Sequence, residues 1–397
     1  MNTVYDAVII GGGISGMMAA ITLAEAGEKV AVVSKGDPVC CFSTGCIDLL
    51  ANGDDPLQAI DSLPETHPYR LVGKETVEKA LERFRGIMTE GGMPYVGDVH
   101  ANRRVLTSLG RFKITCLAPE TMEFADFEPD EYIHIISFYK MKDFYPQYIT
   151  SRYPNAGCSV FDPGVITTAG IAEKFEDKQF VEDFLSWLWE LDIPEGRIAM
   201  PAVLGRTFAG DVYREVSAGC ERKVFEIPTL PPSMPGLRLF TILKKSLTHK
   251  GVDLYWGRGI YSVERLGNQI EAVTLAGEGR PTRVEGKAFI LATGSFVSGG
   301  LQASMDAVAE TIFDLPAYLP GGREVWFNED FFAPGHEIEK AGIRVDSSFR
   351  PVDTELENLH VCGSILAFSE VMKYRCGHGM AIATGVAAAE ACGGLIS

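Results

Sequence analysis

Positive charge is scarce in this chain of 397 residues: 36 Lys and Arg stand against 53 Asp and Glu, a formal net charge of −17. That balance excludes general attraction to nucleic acid or to an anionic lipid surface and leaves phosphate recognition to local groups. Cysteine is present but unpatterned. The nine residues are scattered and odd in number, and their only cluster, Cys40, Cys41 and Cys46, matches no zinc or iron–sulfur spacing. No metal site and no disulfide scaffold is expected, and a reducing, cytoplasmic setting is. H-x-x-x-H pairs and G-x-S-x-G elbows are missing too, so zinc and serine hydrolases have no support. Long apolar runs are interrupted. Residues 7–24 carry no charge but are split by Gly11, Gly12 and Gly13, and residues 288–305 are broken at Thr293-Gly294 and Ser298-Gly299-Gly300, so no direct membrane span is expected.

What is there fits a compact fold. Hydrophobic residues make up 46% and charged residues 22%, near globular averages, and the length allows two domains with a substantial core. Residues 4–10 are rich in β-branched residues, residues 14–26 read as a helix ended by Gly27, and residues 29–33 read as a second strand. This βαβ opening suits a parallel, doubly wound sheet. Aromatic and Pro-rich character sets in between, and strand signals resume at 251–255, 261–265, 288–292 and 359–362, with helices at 237–249 and about 379–392. The expected fold class is therefore α/β, a Rossmann-like FAD/NAD(P)-binding fold with an inserted second α+β domain. Residues 1–56 and 236–397 form the discontinuous nucleotide-binding domain, and residues 57–235 the inserted substrate or interface domain.

The chemistry is carried by glycine turns. Gly11, Gly13 and Gly16 form G-x-G-x-x-G where the first strand meets the first helix. The first glycine permits the turn, the second lets backbone approach a pyrophosphate, and the third lets the helix pack so that its N-terminal amides face the anion. Gly11, Gly12, Gly13, Ile14, Ser15 and Gly16 are thus candidate cofactor residues. The second strand ends in Ser34-Lys35-Gly36 where an acidic residue for a ribose would be expected, so Ser34 and Lys35 take that candidate place by side chain or main chain. Ala292, Thr293 and Gly294 end a later strand with small residues and a hydroxyl. Gly363 and Ser364 follow another, and Gly379, Met380 and Ala381 open a helix whose amides suit an electron-rich ring. Three separated glycine turns argue for one large cofactor across the sheet, and a flavin fits them. His378 and Arg375 are the polar groups expected beside its ring; a structural histidine and a surface ion pair are the plainer alternatives. Arg103-Arg104, Arg222-Lys223 and Lys244-Lys245 read as solvated faces or phosphate contacts.

These residues are also familiar as a set. DAVIIGGG at 6–13, FSTGCIDLL at 42–50, PTLPPSMPGLRL at 228–239 and ATGSF at 292–296 followed by Gly299-Gly300-Leu301 resemble the B subunits of anaerobic glycerol-3-phosphate dehydrogenases over nearly the whole chain. The Ser34-Lys35 ending is similar to that of fumarate-reductase and aspartate-oxidase flavoproteins, which retain FAD without the acidic residue. The resemblance adds Ser43, Thr44 and Gly45 to the cofactor candidates. It implies a flavoprotein working beside two partners: the catalytic A subunit, which contains FAD, and the iron–sulfur C subunit, which is membrane-associated. The chain itself would be cytoplasmic and peripheral to the cell membrane through a partner. The resemblance implies oxidation of sn-glycerol 3-phosphate to dihydroxyacetone phosphate with electrons passed toward quinone, the donor being that substrate or a partner flavin. The family implies FMN, whereas the dinucleotide fingerprint favours FAD, and both stay open. A non-catalytic electron relay or scaffold, and a free-standing flavin oxidase or dehydrogenase acting on another small acid or amine, are the competing readings.

Overall fold

The computed structural model describes residues 4–51, 53–231, 233–276 and 281–396, which divide into two compact units. The first comprises Met1–Val39, Asp48–Phe84 and Leu243–Ser397, the second Cys40–Ile47 and Arg85–Ile242.

The first unit is built on a seven-stranded sheet. Strand β1 (Val4–Ile10) pairs in parallel with β2 (Val30–Ser34) on one side and with the strand Thr282–Leu291 on the other, and the strand Asp253–Trp256 extends the parallel order beyond β2. Leu359–Val361 pairs in parallel with the end of Thr282–Leu291, whose beginning carries the antiparallel arm Gln269–Leu275 and Ile260–Leu266. The central parallel strands are covered on both faces, which is why they read as apolar runs rather than alternating ones. Ala7, Val8, Ile9, Ala31, Val32, Phe289 and Ile290 are fully buried, and each large aliphatic among them contributes roughly 1.5–3 kcal/mol by leaving water.

Helix α1 (Ile14–Glu25) has no polar face over its first ten residues, all of them buried. It packs against the C-terminal helix Gly377–Ile396, where Gly385 brings backbone against the Ser15 backbone so closely that any side chain there would collide. The C-terminal helix is long and apolar enough to cross a membrane by length and composition, yet half its length, including Met380, Ile382, Ala383 and Ala389, is buried inside the unit. Small residues make it a close-packed core helix, and core helices satisfy the same length criterion.

The second unit centres on a four-stranded parallel sheet in the order Val224–Ile227, Arg197–Pro201, Ile133–Phe138, Ala156–Phe161. Two antiparallel ribbons, Tyr95–Gly97 with Leu117–Pro119 and Arg103–Leu106 with Phe112–Thr115, accompany it. The unit therefore joins helices and a parallel sheet to separate antiparallel ribbons. Its aromatic run divides accordingly: Phe138 and Phe144 are core, while Tyr139, Tyr145 and Tyr148 are exposed. A fully buried ion pair ties the Pro-rich segment down. Arg238 donates to both carboxylate oxygens of Glu226 at 2.5 and 3.0 Å and to the Gly205 carbonyl at 2.9 Å, and Glu226 also accepts the Leu204 amide at 2.7 Å. With these groups mutually satisfied, deleting either partner would strand a buried charge.

The boundaries differ from the expected 57–235 insertion at both ends. Residues 57–84 belong to the first unit, because Leu57, Ile60, Tyr69, Val77 and Leu81 are buried there and the Tyr69 hydroxyl donates to the Cys376 carbonyl at 3.4 Å. Residues 40–47 and 236–242 belong to the second, where Gly236 packs on the Cys40 carbonyl with no room for a side chain.

Candidate functional site

The carboxyl ends of the parallel strands in the first unit converge on one edge, and the glycine turns lie there. Gly11 leaves β1 with φ +124°, and a Cβ on it would run into the Ala292 carbonyl. Gly16 has no room for a side chain against the Gly11 carbonyl, and its ideal Cβ would also lie 3.2 Å from the Ala292 Cβ. These two glycines are required by packing between α1 and the strand ends. Gly13 differs: it is extended (φ −74°, ψ 176°), and a Cβ there meets nothing within 4 Å. It is also the N-cap of α1 without a capping side chain, and the first intrahelical bond, Met17 N to Gly13 O, leaves the amides of Ile14, Ser15 and Gly16 ahead of it. Open space before such amides and the positive end of a twelve-residue helix is what an anion needs.

The other candidates gather around this turn. Gly363 (φ +82°) packs on the Ser15 hydroxyl, and its amide donates to Thr384 Oγ1 at 3.0 Å, which in turn donates to the Met380 carbonyl at 2.7 Å. Ser364 Oγ stands 3.5 Å from the Cβ position of Gly294, itself at φ +75°. Thr293 Oγ1 is buried without a hydrogen-bond partner among the described residues, an orphan hydroxyl beside the Ala292–Gly294 turn that a bound polar group would satisfy. Ser34 is buried, with Oγ donating to Gly36 O at 2.8 Å, and lies against Gly12, while Lys35 is exposed. The structure thus brings Gly11 to Gly16, Ser34, Ala292 to Gly294, Gly363 and Ser364 together.

At the start of the C-terminal helix the geometry narrows the expectation. The Gly379 amide donates to the Asp48 carbonyl at 3.1 Å and the Met380 amide to the Cys376 carbonyl at 2.9 Å, so these donors are committed within the chain. Gly379 is glycine because its Cβ would lie 2.6 Å from both the Asp48 carbonyl and the Tyr69 hydroxyl. Ala381 continues the helix. His378 is half-buried in the first turn, and Arg375 is exposed just before it at φ +49°. Phe368 and Glu370 share positive φ in the same loop, a concentration of backbone strain of the kind found at working sites. Ser43, Thr44 and Gly45 lie in the second unit, in a turn closed by Ser43 Oγ to Cys40 O at 2.8 Å and by Tyr95 Oη to Gly45 O at 2.7 Å.

Sequence reasoning missed two features of the first unit. His67 is fully buried, its Nδ1 accepts the Tyr69 amide at 3.1 Å, and its ring stacks on Tyr69 and meets Tyr374 edge-on. Burial pushes its pKa down to about 4, so it is neutral at pH 7. Trp256 ends the strand next to β2, and nothing but its position one residue past a predicted strand could have flagged it. Among the described residues no His, Cys, Asp and Glu cluster could hold a metal ion. The basic pairs are mostly spoken for: Arg104 joins Asp126 and Glu128, and Arg222 donates to the Ile193 and Pro194 carbonyls.

This edge, with its packed first and third glycines and its open second one, has the geometry that a dinucleotide-binding turn requires. A family profile described as FAD binding domain matches residues 6–380, and the chain belongs to that family. It is a flavin oxidoreductase by class, with FAD the favoured flavin. Among its relatives, the B subunit of anaerobic glycerol-3-phosphate dehydrogenase from Yersinia enterocolitica serotype O:8 / biotype 1B is 29% identical over 416 residues, covering 97% of each chain. The protein of that name from Vibrio vulnificus (strain YJ016) is 28% identical, over 98% of this chain and 97% of its own. A probable one from Halobacterium salinarum (strain ATCC 29341 / DSM 671 / R1) is 28% identical over 97% of each. Among solved structures, glycine oxidase from Bacillus cereus ATCC 14579 is 15% identical with a TM-score of 0.38, over 98% of this chain and 95% of its own.

Proposed function

We propose that the chain is a flavin-dependent oxidoreductase subunit of a respiratory glycerol-3-phosphate dehydrogenase complex that oxidises sn-glycerol 3-phosphate to dihydroxyacetone phosphate and passes electrons toward quinone. The observation that carries this reading is end-to-end similarity, over 97% of both chains, to relatives bearing that name. In this reading the Gly11 to Gly16 turn holds the pyrophosphate, with the amides of Ile14, Ser15 and Gly16 at the phosphates. Ser34 and Lys35 border the nucleoside, and Ala292, Thr293, Gly294, Gly363 and Ser364 line the middle of the cofactor, where the Thr293 hydroxyl gains its missing partner. Gly379, Met380 and Ala381 back the ring as close-packed wall, and His378 and Arg375 are the side chains next to it. Ser43, Thr44 and Gly45 remain candidates on the strength of the resemblance.

A bound flavin supplies two-electron acceptance from an alcohol carbon and one-electron release to an acceptor. The chain's own residues hold and orient it, and the amino-terminal end of α1 faces its phosphates. The partners in this reading are the FAD-containing, catalytic A subunit of the complex, together with its iron–sulfur C subunit, through which the assembly would reach the cell membrane from the cytoplasmic side. The competing reading is a non-catalytic relay, in which the flavin takes its electrons from the partner subunit and never meets the substrate.

The test is to release the cofactor from purified protein, identify it by chromatography, and add sn-glycerol 3-phosphate with an artificial acceptor. Turnover by the isolated chain supports direct oxidation. Flavin reduction only when the catalytic partner is added supports the relay, and a colourless protein that takes up no flavin defeats both.

A further inference from the structure

The fingerprint lacks the acidic residue that normally ends β2, and the structure offers a replacement three residues later, beside an aromatic ring from the next strand. Trp256 pairs with Ser34 across the parallel register of these two strands, both at the carboxyl edge where ligands of open α/β sheets bind. The far edge of its indole lies where a Gly12 side chain would stand, and Ser34 Oγ is 2.7 Å from the same point, so a side chain at position 12 would have to push the indole or the serine aside. Indole Nε1 donates to Asp37 Oδ1 at 3.2 Å, and the Lys244 ammonium sits 4.4 Å from the ring centroid. The indole is half-buried and Asp37 is exposed. Among the described residues this corner also carries Lys35, so two ammonium groups serve one corner of a chain of net charge −17.

We infer that Trp256 and Asp37 form the adenosine subsite of the cofactor, the indole as a stacking surface for adenine and the second carboxylate oxygen of Asp37 as acceptor for a ribose hydroxyl. This rests on the flavin reading and deepens it. An adenine offers a π-face and a ribose offers two hydroxyl donors, which match an aromatic face and a carboxylate held at its edge. Lys244 on the ring and Lys35 beside it offset the diphosphate charge, which the amides of α1 meet from the other direction. Trp256 takes over a recognition role that β2 has lost, and FAD, not FMN, is the ligand that uses it.

The test is titration of flavin-depleted full-length protein with FAD and with FMN, followed by flavin fluorescence. Trp256→Ala should weaken FAD by about ten- to a hundredfold, the usual loss for a base–aromatic stack, and leave FMN unchanged. Trp256→Phe should retain most of the FAD affinity, which separates loss of stacking from loss of fold. Asp37→Asn should weaken FAD by about tenfold with FMN again unaffected. Unchanged FAD affinity in Trp256→Ala, an equal fall for both flavins, or a wild-type protein that binds FMN but not FAD would overturn the assignment. A wild-type protein that binds neither would defeat the flavin reading itself, a result distinct from the other three.

Discussion

Two helices begin within the same unit, and they begin differently. Helix α1 starts at an uncapped glycine with open space before its first amides, whereas the helix Gly377–Ile396 starts with its Gly379 and Met380 amides already given to the Asp48 and Cys376 carbonyls. Both carry glycine at their start: Gly13 caps the first, and Gly377 and Gly379 lie in the first turn of the second. The comparison teaches that glycine at a helix start has two separate uses. At Gly13 it leaves open space before the first amides of the helix, and at Gly379 it lets protein close upon itself.

The sharpest way to break that comparison is to add side chains at glycines of the α1 turn. Gly16→Val should destabilise the fold by about 4 kcal/mol or more, or prevent soluble expression, because its side chain must displace the Gly11 carbonyl. Gly13→Val should keep stability within about 1 kcal/mol in urea denaturation yet lose nearly all bound flavin by absorbance. Retained flavin in that variant would remove the anion site from α1. Gly363→Ala combines a left-handed backbone with collision against Ser15 and should cost about 2–3 kcal/mol in the same assay.

Next in size is a pH effect. Burial holds the His67 and His360 imidazoles near pKa 4, below the usual 6.5, with Arg350 adding to the effect at His360. The unfolded chain takes up protons that the folded chain refuses. Their neutral forms therefore contribute stability that is fully present above about pH 6.5 and is lost progressively as pH falls toward 4. Between pH 7 and pH 5 each should account for about 2 kcal/mol. Urea midpoints at the two pH values should converge in His67→Gln by about that amount, and an unchanged pH difference would mean that the ring is already protonated in the fold. The smallest effect belongs to Arg375. Arg375→Gly should relieve its left-handed backbone and shift stability by no more than about 1 kcal/mol. A large loss of turnover at unchanged stability would give that side chain a working role beside the cofactor.

Much of the first unit was legible because parallel strands buried on both faces spell themselves as apolar runs. Val4–Ile10, Val30–Ser34 and Leu359–Val361 fall within a residue of where β-branched composition puts them, and the turn glycines mark the joints. The antiparallel strand Gln269–Leu275 escaped, since its alternation of buried and exposed residues is short and sits beside the polar stretch that precedes it. The domain boundary was misplaced for a different reason. Residues 57–84 read as part of the change in composition, but Tyr69 is fully buried in the first unit, and no local pattern reports a contact with position 376. The site followed the same rule. Backbone requirements at Gly11, Gly16 and Gly363 were visible as glycines, whereas the commitment of the Gly379 amide and the placement of Trp256 beside Ser34 depend on which strands become neighbours.

The packing of Gly385 on Ser15 joins the last helix of the chain to the first. During translation β1 and α1 leave the ribosome more than 300 residues ahead of the strand Leu359–Val361 and the helix Gly377–Ile396. At roughly 5–20 residues per second the amino-terminal turn waits tens of seconds for its cover. A nascent chain arrested before residue 377 would display the glycine turn of α1 without the helix that packs on Ser15.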